Sequence, residues 1–319
     1  MQNKGKYFVY RAKNVIKIAL KKAHMYDIKK VSRYAGRQVM QPEEVNDIIY
    51  RAILSNEPFA AVRYGSSELA TTMDAIDIDF GVRKNIRDKC MVSLCRNAGF
   101  FPNDKLLAYK YGRNQAELCV NADLFAIWGM NMEDYVIDNF GKPEAYVGLP
   151  TGLEPYYHDK PWTQALKGKR VLVIHPFVET IQNQYRNYRT KIFGNLQVEV
   201  LPEFELLTLK AVQSAAYVNT GFGNWFDALN YMFEKTMELD FDVAILGCGA
   251  YGLPLTCMLK AQGKTAIHMG GATQLLFGIK GNRWDNHPYI SKLYNEYWVR
   301  PSNSETPDNA NVIENACYW

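Results

Sequence analysis

The stretch that most restricts what this chain can fold into is residues 242–284, DVAILGCGAYGLPLTCMLKAQGKTAIHMGGATQLLFGIKGNRW. It opens with the apolar run Val243–Leu246, which reads as a buried strand. A glycine turn follows at once, with Gly247, Gly249 and Gly252 at its corners and Tyr251 inside it. A helix-compatible segment over residues 253–262 stops at Gly263, and a second short strand over residues 265–269 ends in Gly270 and Gly271. Strand, glycine turn, helix and strand make a βαβ unit, in which the glycines let backbone N–H groups approach a phosphate at the helix N-terminus. The competing reading is a tight strand-to-helix turn with no ligand, because G-x-G-x-x-G alone is a weak pattern.

The same stretch argues against some ligands. A dinucleotide or S-adenosylmethionine site places Asp or Glu at the end of the second strand to hold ribose hydroxyls. Here that place reads Ile267, His268, Met269, Gly270, with no acid. The unit also lies late in the chain, whereas the dinucleotide fingerprint normally opens its domain. A nucleotide or phosphate pocket is the reading that remains, with NAD binding or S-adenosylmethionine-dependent methyl transfer as the alternative.

Upstream, strands and helices alternate, which implies a mostly parallel sheet with helices on both faces. Residues 42–54 read as a helix with Pro42 in its first turn and Glu43 and Glu44 at the positive end of the dipole. Residues 59–64 read as a strand running into Gly65, with Ser66 as the cap of the next helix. Residues 80–100 look helical. Strands are expected at residues 124–128, 170–174 and 198–201, and helices at 178–189 and 224–239. The last of these carries Trp225, Ala228, Leu229, Met232, Phe233 and Met237 on one face, a core stripe. Residues 146–157 are rich in turn formers, so a flexible connection is expected near 146–168. The organisation is then an arm over 1–40, one α/β domain over 41–299, and a polar tail over 300–319.

The 319 residues, 48% hydrophobic and 22% charged, suit a globular protein with a sizeable core. Residues 1–40 hold eleven Lys and Arg against Asp27 alone, a net +10, so with a chain total of +4 the remainder carries −6. Phe8, Val15, Ile18, Ala19, Met25 and Ile28 fall among these cations at roughly helical spacing. Such a helix either lies on an anionic membrane or packs on the body of the protein. An acidic body without a binding motif gives no reason to expect nucleic acid. Cys90, Cys95, Cys119, Cys248, Cys257 and Cys317 show no C-x-x-C spacing, which points to free thiols in a reducing compartment. No run of 18 apolar residues and no signal-like segment is visible. The expectation is a cytoplasmic protein, peripheral on the inner membrane face if residues 1–40 meet lipid.

Ligands of open α/β sheets bind beyond the carboxyl ends of the strands. Arg63, Gly65, Ser66 and Glu68 stand at one such end, His175 and Glu179 at a second, and the glycine turn at a third. Arg63 would pair with a phosphate or with Glu68. Glu68 would hold a cation, act as a base or favour the helix dipole. His175 or Glu179 would take a proton from an acceptor hydroxyl, or His175 would be a structural histidine. Lys280, Arg283 and Trp284 suit a diphosphate and a ring, or form a solvated basic loop.

The segment RYGSSEL, residues 63–69, resembles the R-[FY]-G-D-G-E opening of bacterial glycosyltransferases of the GT-D fold. The DVAILGCGAYGLPL…GKTAIHMGG run resembles that family's late strand, glycine turn, helix and strand, which closes the nucleotide pocket. The resemblance implies a Rossmann-like fold and transfer of a sugar from a nucleotide-sugar, typically a UDP-sugar, to a cell-surface glycan, glycolipid or glycoprotein. It also implies an Asp-x-Glu pair holding Mn²⁺ or Mg²⁺ on the donor diphosphate. Glu68 takes the Glu position, and Ser66 stands where the Asp would be. A hydroxyl is a poorer ligand for a hard cation than a carboxylate. Three expectations follow: a weakly held metal, Lys280 and Arg283 in its place, or a non-catalytic nucleotide-sugar-binding scaffold.

Overall fold

Successive side chains on a strand point to opposite faces, and the central strands sort their residues accordingly. On β6 (Arg170–His175), Val171 and Val173 enter one core while Leu172 and Ile174 enter another. On β8 (Val243–Leu246), Val243 and Ile245 join the first and Ala244 and Leu246 the second. Both faces are covered, which is why these strands read as unbroken apolar runs. The computed structural model describes residues 3–319, so residues 1 and 2 of the basic segment lie outside the described residues.

The other strands are β1 (Arg33–Tyr34), β2 (Arg37–Met40), β3 (Ala60–Arg63), β4 (Leu124–Ala126), β5 (Tyr146–Gly148), β7 (Glu205–Lys210) and β9 (Thr265–His268). They form one sheet in the order β1-β2-β5-β4-β3-β9-β8-β6-β7. Among the described residues only β1 and β2 pair antiparallel; all the other ladders are parallel. This is the expected α/β architecture. The two halves of the chain meet where Ala60 and Ala61 pair with Ala266 and Ile267.

The longer helices are α1 (Lys4–Lys22), α2 (Pro42–Ser55), α3 (Ser66–Asp79), α4 (Asp88–Ser93), α5 (Lys105–Leu118), α6 (Glu133–Phe140), α7 (Val178–Ile192), α8 (Trp225–Met237) and α9 (Gly252–Ala261). Two single turns, α10 (Thr273–Leu276) and α11 (Ile290–Leu293), follow. Helices α2 and α7 pack on one face of the sheet, and α3, α5, α8 and α9 on the other. Pro42 starts α2, and Glu44 returns to the Gln41 N–H to close a capping box. Asn224 caps α8, accepting from the Phe226 and Asp227 N–H groups. The α8 stripe is core as far as Met232, but Met237 is exposed where the helix runs off the body.

Several expectations need correcting. Residues 198–201 form no strand; the outer partner of β6 is β7, farther on, because register is set by pairing rather than by a short apolar run. Residues 80–100 are not one helix, since α4 starts only at Asp88 and passes into a wide turn, Leu94–Ala98. Residues 146–168 are not a flexible connection: they contain β5 and a series of 3₁₀ turns with Leu153, Tyr156, Trp162 and Leu166 buried. Residue 40 is no domain boundary, because β2 is already in the sheet.

The basic helix α1 packs on the body, and its packed face is not the predicted apolar stripe. Tyr7 is fully buried and donates to Asp77 at 2.5 Å, Arg11 pairs with Asp77 at 2.6 Å, and Lys17 donates to the Met130 carbonyl at 2.9 Å. Phe8, Val15 and Met25 instead face outward. No helix among the described residues is long and apolar enough to cross a membrane.

The segment over 300–319 is not a loose tail. Its Glu305 is buried and accepts from the Glu179 N–H at 2.7 Å and from the Thr180 N–H and hydroxyl at the start of α7. A carboxylate there satisfies orphan donors and meets the positive end of the helix dipole. Removing such a cap costs about 1–2 kcal/mol. Glu305→Ala should therefore lower the urea-unfolding free energy by at least about that much, and an unchanged midpoint would show that the cap carries no stability.

Candidate functional site

The parallel register brings the carboxyl ends of β3, β6, β8 and β9 together, and a cavity of about 210 Å³ opens above them. Of the residues expected to converge, Arg63, Gly65, Ser66, Glu68, His175, Gly247, Gly249, Tyr251, Gly270, Gly271 and Arg283 line it. Glu179, Gly252, Lys280 and Trp284 do not. Glu179 points away and accepts from the Ser304 hydroxyl at 2.9 Å, so it is no base for this cavity. Lys280 lies over the Tyr294 ring at 5.1 Å, and Trp284 is buried in the core. The basic loop therefore contributes Arg283 alone.

Arg63, at the end of β3, has no carboxylate within ion-pair distance among the described residues. Its guanidinium lies 5.2 Å from the centre of the Trp128 ring and donates to the Met269 carbonyl at 3.3 Å, and its Nε is buried without a partner. Gly270 lies against it: a Cβ there would come within 3.0 Å of the guanidinium carbon. Arg283 is held differently, by Glu314 and by the Tyr318 hydroxyl at 3.2 Å.

Glu68 folds back over Gly65, leaving no room for a side chain at that glycine. Burial pushes its carboxyl up, against the pull of its own backbone N–H and of Arg63. Helix α3 begins at Ser66 with Gly65 at the cap position, so Ser66 does not cap it and is exposed. Ser67, buried beside it, shares a hydrogen bond with Ser93 at 2.6 Å.

The two histidines are neutral. Burial pushes His175 down to about 3. Burial and the neighbouring Arg63 charge push His268 to about 3 as well. The Nδ1 of His175 accepts from the Phe177 N–H at 3.0 Å, which fixes the ring proton on Nε2. His175 thus offers the cavity a donor, and a ring so reluctant to take a proton is not the base expected from sequence.

The glycine turn also differs from a simple phosphate cradle. At Gly247 a Cβ would meet the His175 ring at 2.5 Å, and at Gly252 it would meet the Nε2 of His268 at 2.1 Å. These two glycines allow close packing. Only Gly249 is required by conformation, at φ +57°, with ordinary space around it. The Gly247 N–H is used by the Ile174 carbonyl at 2.9 Å. The Cys248 and Gly249 N–H groups at the cavity wall have no hydrogen-bond partner among the described residues. Tyr251 stacks on Trp225 at 5.0 Å and shares a hydrogen bond with Ser214 at 2.8 Å, so its ring is wall rather than platform.

The donor set does not fit a resident Mn²⁺ or Mg²⁺. Among the described residues no three His, Cys, Asp or Glu side chains gather to hold a metal ion. Of the two glutamates that line the cavity, Glu314 is taken by Arg283, burial raises the affinity of Glu68 for protons, and the neighbouring Ser66 is a weak ligand for a hard cation. Positive charge comes instead from the two guanidinium groups.

Other lining residues escaped the sequence reading. Asn97 and residues 211–215 carry no motif. Tyr318 and Trp319 form one wall, with Gly271 flat beneath the Tyr318 ring. Two aromatics closing an otherwise polar segment were the available signal for these last residues.

No family model and no curated protein matches the chain. Two solved structures align with it. One is a selenomethionine-substituted domain of unknown function 1792, 12% identical over 85% of this chain and 93% of that chain, with a TM-score of 0.43. The other, described as showing that this highly conserved domain has a distinct glycosyltransferase fold, is 13% identical over 74% of this chain and 79% of that chain, with a TM-score of 0.38.

Overpacking a core typically costs about 1–3 kcal/mol. Gly252→Ala should therefore destabilise through the clash with His268, with lowered midpoints in urea unfolding as the readout. A wild-type midpoint would mean that His268 moves freely. The histidines give a pH prediction. Their folded values lie below the ordinary value of 6.5, so the unfolded chain binds more protons between about 3 and 6.5. Stability should fall as pH drops through that window, and the fall should be shallower in His268→Gln; equal slopes would remove His268 from the account.

Proposed function

We propose that the protein is a glycosyltransferase that moves a sugar from a nucleotide-sugar, a UDP-sugar first among candidates, to the hydroxyl of a glycan, glycolipid or glycoprotein acceptor. The observation that carries the reading is the Arg63 guanidinium, which lines the strand-end cavity without a carboxylate partner among the described residues. A guanidinium in that state gains most from a planar, multiply charged oxyanion such as a diphosphate. The Nε2–H of His175, the Cys248 and Gly249 N–H groups and Arg283 add donors around the same space. The resemblance of residues 63–69 and 242–271 to the GT-D glycosyltransferases supports the same reading.

In the reaction, the acceptor oxygen bonds to the anomeric carbon while the bond from that carbon to the diphosphate oxygen breaks. The nucleoside diphosphate leaves with the electron pair. Arg63 and Arg283 stabilise the charge that develops on it. The acceptor proton passes to Glu68, whose raised affinity for protons suits a general base, while Glu314, the other glutamate in the lining, is paired with Arg283.

Thermal stability against UDP-, GDP-, dTDP- and CMP-sugars and S-adenosylmethionine, each with and without Mn²⁺, tests this. One nucleotide-sugar should raise the melting temperature by mass action, without a need for Mn²⁺. Arg63→Ala should weaken that ligand at least about tenfold, the equivalent of about 1.4 kcal/mol. Glu68→Gln should keep donor binding and lose transfer. A response to S-adenosylmethionine alone would favour methyl transfer. Donor binding with neither hydrolysis nor transfer would leave a nucleotide-sugar-binding scaffold, the reading to which the weak metal donor set lends weight.

A further inference from the structure

A second, larger cavity of about 750 Å³ lies between α1, α3, α4 and residues 130–132. Ser66 and Ser67 line both cavities, so the two share a wall at the start of α3. The second is strongly basic. Arg11, Lys21, Arg83, Arg87 and Lys89 line it, against Asp77, with Asp74 buried behind. Those two carboxylates are already bonded: Asp77 takes Tyr7, Arg11 and Arg83, and Asp74 takes Arg87 at 2.7 Å. Five cations against two carboxylates leave an excess of positive charge. Arg83 uses only its Nε, so its two Nη groups have no hydrogen-bond partner among the described residues, and Lys89 is exposed with no ion pair.

Among serines and asparagines, the lining also has an apolar side. Val15, Ile18, Leu69 and Met73 form it, and Val15 continues onto the outer face of α1, where it is 67% exposed beside Ile16 at 62%. Cationic donors at one end and an aliphatic wall that runs out to solvent fit an anionic head on a hydrocarbon chain. Neither a bare sugar nor a free phosphate uses both parts.

We infer that this groove binds a lipid in which a sugar, carrying the acceptor hydroxyl, is joined through phosphate to a long aliphatic alcohol, and that it is the acceptor site of the enzyme. The assignment as acceptor site rests on the glycosyl-transfer reading; the binding of a lipid phosphate does not. Arg83, Arg87 and Lys89 hold the phosphate, the chain lies along Val15 and Ile18 toward a membrane, and the head group reaches past Ser66 toward Glu68. The basic helix thereby seats the lipid chain, while the start of α4 and the residues before it hold the phosphate.

Calorimetric titration of the full chain with dodecyl phosphate, kept below its micelle concentration, tests the inference beside inorganic phosphate and dodecyl maltoside. Dodecyl phosphate should bind at least about tenfold more tightly than either control, a gap of about 1.4 kcal/mol. Lys89→Glu and Val15→Asp, both at exposed positions, should each weaken it about tenfold while keeping the wild-type melting temperature and its rise with nucleotide-sugar. Equal binding of dodecyl maltoside or of inorganic phosphate, or unchanged affinity in either variant, overturns the groove assignment. Groove binding without any nucleotide-sugar response would leave the lipid-phosphate site standing and remove the transferase reading alone.

Discussion

Everything at the cavity depends on the pairing of β3 with β9, Ala60 opposite Ala266 and Ala61 opposite Ile267. The partners are more than 200 positions apart in the chain. This ladder sets Arg63 at the end of one strand beside His268 at the end of the next, and through β8 it sets both beside the glycine turn. A slip of one residue would send every side chain on β3 to the opposite face, and Arg63 would leave the cavity. Small side chains make the ladder tolerable: Ala60, Ala61 and Ala266 are fully buried, with helix α9 packed against both strands.

The electrostatics of the cavity follow from burial more than from ion pairing. His175 and His268 are kept neutral because charging them would cost desolvation. Arg63 has an aromatic face and a carbonyl for company rather than an acid. Glu68 is driven toward protonation. Among the described residues no carboxylate lies within ion-pair distance of the Arg63 guanidinium, although Glu68 and Glu154 feel its charge, and a ligand's anion can take the open place. The second cavity is arranged the other way: its carboxylates are ionic hubs that orient Arg11, Arg83 and Arg87, and the surplus cations face outward.

The parts legible from sequence were those governed by local rules. The unit from Val243 to His268 appears with boundaries displaced by at most one residue, because apolar runs and glycine punctuation determine it. Helix α2 was readable from Pro42 and its acidic first turn, and the set of converging strand ends followed from the parallel alternation. What failed were features decided by distant contacts. The face on which α1 packs is chosen by Asp77 and Met130, not by its apolar stripe. Residues 146–168 and 300–319 have the composition of loops, yet they are ordered by anchors such as Trp162 and Glu305 that find partners far away in sequence. Local propensity is a weak prior when tertiary context supplies such partners. His175 and Glu179 looked equivalent as proton acceptors; one backbone N–H and one serine hydroxyl separate them.

The contact between Gly252 and His268 has an evolutionary consequence. The missing side chain at one position is the space occupied by the imidazole at the other. Neither residue can drift alone without a steric conflict or a void, so the two should be inherited as a unit. Among descendants of this fold, a lineage that gains a larger residue at the helix start must first, or at the same time, shrink the residue ending the last strand. That order of events would remove the neutral ring beside Arg63, and changes in the cavity's chemistry would then follow the history of helix packing.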